Sequence, residues 1–90
     1  MARLALYTKH DCPLCDEAAE LLRRLAPEFR LDVEEVDIEG VADLWQRYRY
    51  LIPVVVLDGE ALLYPPISET RLRRALSGRL ALGDPSRGGV

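Results

Sequence analysis

The chain has 90 residues, 49% of them hydrophobic and 30% charged, which is enough for one core, typical of a globular domain and contrary to intrinsic disorder. Its formal net charge of −3 lacks the positive field that sequence-independent nucleic-acid binding requires, so no nucleic-acid partner is expected. No apolar run approaches the roughly 18 residues that cross a bilayer, and Met1-Ala2-Arg3-Leu4 leads into a mixed strand instead of a signal-peptide apolar region; a cytoplasmic protein with no membrane partner is expected.

Residues 3–8, Arg3-Leu4-Ala5-Leu6-Tyr7-Thr8, form a short, nearly continuous apolar run before Lys9-His10-Asp11 and read as a strand buried on both faces. From Pro13 to Leu25 the apolar residues Leu14, Ala18, Leu21, Leu22 and Leu25 recur at helical spacing, and Asp16, Glu17, Glu20, Arg23 and Arg24 fall largely on the other side. This predicts an amphipathic helix that starts at Pro13, where a missing N–H costs nothing, and whose end Pro27 limits. Leu31 to Ile38 reads as a second strand whose apolar phase slips between Val33 and Val36, which a bulge or burial on both faces would explain.

Val41, Leu44, Trp45 and Tyr48 follow the i, i+3, i+4, i+7 pattern of a second, short helix, with Trp45 and Tyr48 anchoring it on the sheet. Pro53 to Leu57 reads as a strand that begins at a proline, and Asp58-Gly59 as a tight hairpin turn needing positive φ at both residues, with Glu60 to Tyr64 as the return strand. Pro65-Pro66 stops that strand. Ser68 can cap a third helix lined by Leu72, Ala75, Leu76 and Leu80, with Gly78 near its end. The order β-α-β-α-β-β-α implies an α/β fold with a four-stranded mixed sheet flanked by helices, because the first crossover makes a parallel pair and the hairpin an antiparallel one. Residues 1–82 read as one domain and residues 83–90, rich in Gly and Pro, as a flexible C-terminal tail.

The two cysteines form the pattern Cys12-Pro13-Leu14-Cys15. Cys12 falls where the first strand ends and the helix begins, so helix N–H groups and the macrodipole favour its thiolate; Cys15 shares the apolar side with Ala18, Leu22 and Leu25. An exposed attacking thiol with a second thiol behind it suits thiol–disulfide exchange. A structural disulfide across so small a loop removes little unfolded-state entropy, and a zinc site needs about four ligands where Cys12, Cys15 and His10 are at hand. A metal site shared between chains and a pair of inert core thiols stay open beside the redox reading, and His10 reads as a solvated loop residue.

The run Tyr7-Thr8-Lys9-His10-Asp11-Cys12-Pro13-Leu14-Cys15 resembles the active-site segment of the glutaredoxins, in the thioredoxin-fold superfamily, and Ile52-Pro53-Val54-Val55 resembles the segment that carries that superfamily's cis-proline. The similarity covers residues 3 to about 80 and is greatest to the short glutaredoxin-like proteins whose motif continues C-x-x-C-D/E-E-A, as Cys15-Asp16-Glu17-Ala18 does here. The resemblance implies a thioredoxin-like fold with sheet order 2-1-3-4, a cis peptide at Ile52-Pro53 beside the cysteines, and substrate docking against the backbone around Ile52. It further implies a thiol–disulfide oxidoreductase with Cys12 and Cys15 catalytic and Lys9, Ile52 and Pro53 binding substrate.

The expected partners are a disulfide-containing protein or small thiol substrate, with the thioredoxin or glutathione system as reductant; no bound cofactor and no metal are expected. Three departures fall on the glutathione site: Leu14 stands where a Tyr is usual, Leu51-Ile52 where a Thr-Val pair precedes the cis-proline, and Tyr64-Pro65-Pro66 where a Gly-Gly pair follows the last strand. The resemblance leaves Lys9 as the one expected carboxylate contact at a matching position. Two other functions suit the same resemblance: a non-catalytic iron-sulfur or metal carrier using Cys12, and a redox-inert binding module.

Overall fold

A computed structural model describes residues 2–82, and the side chains of residues 2–80. The tail expected at 83–90 lies outside the described residues. The elements are β1 (Ala2–Thr8), α1 (Pro13–Phe29), β2 (Leu31–Asp37), α2 (Ala42–Tyr48), β3 (Val54–Leu57), β4 (Glu60–Leu63) and α3 (Glu69–Leu82), with a single 3-10 turn at Ile38–Gly40. The strands form one sheet in the order β2-β1-β3-β4. β1 runs parallel to β2 and antiparallel to β3, and β3 and β4 form the hairpin. Asp58 and Gly59 both have positive φ, 49° and 87°, which is the backbone that a two-residue turn matched to the sheet's twist demands and that Asp and Gly tolerate.

One face of the sheet is sealed. Leu4 and Leu6 of β1 pair with Leu57 and Val55 of β3, and these four meet Leu22 and Leu25 of α1 and Leu72 and Leu76 of α3 in one core, every one of them buried. Each such side chain contributes about 1.5–3 kcal/mol relative to exposure. Among the described residues the other face has α2 alone, a helix of seven residues with no buried residue of its own. Tyr48 packs edge-on against Tyr7 of β1, ring centroids 5.2 Å apart, so cover is confined to the end of the sheet near Tyr7. Farther along, Arg3, Ala5, Glu34 and Val56 border an open cavity of about 340 Å³. β1 is therefore sealed on one face and half-covered on the other, where the apolar run had suggested burial on both.

Two local expectations need correction. Helix α1 does not stop short of Pro27 but runs through it to Phe29. Proline in the last turn deprives the Arg23 carbonyl of one donor, and the helix still closes, because Arg30 turns left-handed (φ 55°) and its N–H bonds to the Ala26 carbonyl. Strand β2 has no bulge against β1: every residue from Leu31 to Asp37 pairs in an unbroken register. The slip in apolar phase is a change of face, since Leu31 and Val33 lie beside Ala2 and Leu4 while Val36 lies beside Tyr7 on the face under α2. The irregularity in the sheet is in the hairpin, between Val55 and Val56.

Helix α3 starts as Ser68 suggests, with its hydroxyl accepting from the Arg71 N–H at 3.2 Å. It passes through Gly78 and is described as far as Leu82. Across its first turns Arg73 bonds both Glu69 and Glu28 of α1, and Arg24 reaches Glu69 at 3.0 Å. These contacts tie the end of α1 to the start of α3, which leaves the opposite end of α1 at the top of the sheet.

Candidate functional site

That free end of α1 carries the cysteine pair. After β1 the chain passes Lys9 and His10 and turns at Asp11, which adopts a left-handed conformation (φ 52°). Asp accepts this geometry at less cost than most residues. The turn places Cys12 as the N-cap of α1 in extended conformation, followed by Pro13 in the first turn. The Cys12 sulfur accepts a hydrogen bond from the Cys15 N–H at 3.1 Å, and the Cys12 carbonyl accepts from Asp16. Cys12 and Cys15 are joined in a disulfide, with Cα atoms 5.2 Å apart. Cys12 is half-buried, whereas Cys15 is 2% exposed and shares the apolar face of α1. An N–H aimed at the Cys12 sulfur and the N-terminal end of α1 both place partial positive charge at this atom.

Pro53 approaches from β3. Its register follows from the sheet, because Val54 pairs with Tyr7 near the end of β1, and the Ile52–Pro53 bond is cis. Leu14, set between the two cysteines, lines a groove of about 440 Å³ together with Glu17, Pro53, Pro65, Pro66 and Ile67. Leu14, between the cysteines, is 60% exposed. The Pro65–Pro66 bond is also cis, and this wall is held by Arg71 of α3, whose guanidinium donates to the Tyr64 carbonyl at 3.0 Å and to the Pro66 carbonyl.

Of the five residues singled out from sequence, Cys12 and Cys15 are bonded together, Pro53 lines the groove beside them, and Ile52 precedes it, half-buried. Lys9 is exposed in the loop and does not line the groove. His10 is highly exposed, and its Nε2 lies 3.3 Å from an Asp37 carboxylate oxygen and 3.7 Å from one of Glu39. These three side chains are the one group among the described residues with ligand atoms close enough to share a metal ion, and all are exposed. Sequence reasoning missed Glu17, Ile67 and Arg71. Glu17 had a signal, since i+3 from Leu14 shares its side of a helix; the groove's far wall comes from another part of the chain.

A disulfide across the first turn of α1, a cis-proline opening β3 and the sheet order β2-β1-β3-β4 together define a thioredoxin-fold domain. Residues 3–77 match the model of the Glutaredoxin-like domain (DUF836), and the chain belongs to that family. It is 31% identical over 88 residues to an uncharacterized protein of Mycobacterium tuberculosis, covering 92% of this chain and 90% of that one. Among solved structures it resembles a protein from X. campestris, with 33% identity and a TM-score of 0.71 over 83% of this chain and 96% of that one. It also shares its fold with thioredoxin 1 of Thermosipho africanus, at 14% identity and a TM-score of 0.69 over 90% and 97% of the two chains. No helix among the described residues is long and apolar enough to cross a membrane.

Proposed function

We propose that the chain is a thiol–disulfide oxidoreductase that reduces disulfides of proteins or small molecules through Cys12 and Cys15. The observation that carries this reading is the inequality of the two sulfurs: Cys12 is half-exposed at the helix N-terminus and Cys15 is buried behind it. In the reduced protein the Cys12 thiolate attacks one sulfur of the substrate disulfide. A Cys12–substrate disulfide forms, and the other substrate sulfur leaves as a thiolate that takes up a proton. Cys15 then loses its proton and attacks the Cys12 sulfur, releasing the second substrate thiol and closing the Cys12–Cys15 bond. Two electrons and two protons pass from the dithiol to the substrate. A thiol reductant, glutathione or a thioredoxin-type dithiol, reverses the exchange and resets the pair, in a reducing compartment such as the cytoplasm.

The test is a pair of variants. Cys15→Ser keeps the attacking thiol without the resolving one, so its intact mass should rise by one substrate moiety bound at Cys12 on exposure to a disulfide. Cys12→Ser should reduce no disulfide. Full reductase activity in Cys12→Ser would end this reading.

A further inference from the structure

The groove beside the disulfide has a chemistry of its own. Among the described residues that line it, five are apolar and Glu17 is the one charged group. Neither Lys9 nor Arg71 lines it; Arg71 stands behind the wall, with one guanidinium nitrogen bonded to the carbonyls of Tyr64 and Pro66. Leu51, next in sequence to Ile52-Pro53, is 43% exposed, and Tyr64, next to Pro65, is 41% exposed. A contiguous exposed apolar patch rimmed by polar groups marks an interaction surface.

Glutathione carries two carboxylates and one ammonium per half, and its carboxylates would meet Glu17 with no cation among the described lining residues to offset the repulsion. Accepting the redox reading of Cys12 and Cys15, we propose that the groove selects protein disulfides over glutathione disulfide. Its occupant is an extended segment whose cysteine is followed by an apolar side chain, seated against Leu14, Pro66 and Ile67, and then by a lysine or arginine paired with Glu17. Glu17 is thus a specificity-determining residue, and the Pro65–Pro66 wall supplies the apolar surface.

Four disulfides separate the alternatives: terminally blocked peptides in which cysteine is followed by Leu-Lys, Leu-Glu or Ser-Lys, each linked to its own copy, and glutathione disulfide. With dithiothreitol as reductant, the Leu-Lys peptide should give the highest kcat/KM. The Ser-Lys peptide should fall about tenfold through lost apolar contact, and the Leu-Glu peptide about two- to fivefold, as an exposed charge pair allows. Glutathione disulfide should be the poorest of the four. In Glu17→Lys the order of the Leu-Lys and Leu-Glu peptides should invert. Equal rates for all four, glutathione disulfide as the best substrate, or an unchanged order in Glu17→Lys would overturn the proposal.

A binding measurement separates this from failure of the redox reading. The oxidised, isotope-labelled protein is titrated with the same peptides carrying serine for cysteine, and the amide signals of Leu14, Glu17 and Ile67 are followed. Shifts with the Leu-Lys peptide that weaken with the Leu-Glu peptide support the groove even in a protein that reduces no small neutral disulfide. Absence of shifts at those three amides overturns the groove, even in a protein that does reduce one.

Discussion

At the scale of single residues, the two sulfurs differ by position more than by chemistry. Cys12 is reachable and receives a helix N–H, while Cys15 is 2% exposed. Limited alkylation of the reduced protein at neutral pH should therefore label Cys12 at least about tenfold faster than Cys15. Mapping the label by mass spectrometry checks this, and preferential labelling of Cys15 would remove the assigned roles. This asymmetry was legible in the sequence, because a strand's end, a proline and an amphipathic repeat locate both cysteines within one helical turn. The groove was legible in part: the family resemblance put Leu14, Ile52-Pro53 and Pro65-Pro66 on one site and helical spacing joins Glu17 to Leu14, but only the folded sheet adds Ile67. Lys9 was placed in the site by likeness to a motif and not by any contact, and it stands outside the groove lining.

Among the elements, those with strong end signals were readable and those shaped by neighbours were not. The Asp58-Gly59 turn and the Ser68 cap are local chemistry, and both occur where the sequence puts them. Replacing Ser68 with Ala leaves the Arg71 N–H without its side-chain acceptor and should lower unfolding free energy by about 0.5–2 kcal/mol. Urea denaturation with an unchanged slope would measure it; a midpoint equal to wild type would show that α3 starts independently of this cap. Helix α1 outlasts Pro27 because the αL closure at Arg30 serves the end that a proline was expected to break. Strand β2 follows the second of the two explanations its phase slip allowed, apolar residues on both faces, and only the unbroken register with β1 decides against a bulge. α2 supplies that second face only near Tyr7.

At the scale of the whole molecule, α1 and α3 are joined by packing and by charge. Arg73 holds the Glu28 carboxyl below its ordinary value through a hydrogen bond, and Arg73 and Arg24 do the same to Glu69. A carboxyl whose folded pKa is depressed contributes stability that is present above its unfolded pKa and lost as pH falls through the folded value. Thermal melts from about pH 7 to about pH 3 should show the wild type losing Tm below the ordinary carboxylate range and Arg73→Gln losing less of it. The difference should shrink near 1 M salt, because exposed pairs are screened; parallel curves for the two proteins would show that the cluster contributes nothing. The central place of β1 has a consequence for how the chain assembles. The strand made first is the one with a partner on each side, and the second partner, Val54–Leu57, is made only after both intervening helices and β2. During synthesis one edge of β1 must wait, unpaired, until the hairpin arrives, and closing so long a loop is a slow, entropy-limited step. The stretch of translation between Asp37 and Leu57 is therefore when this chain most needs protection from pairing with its neighbours.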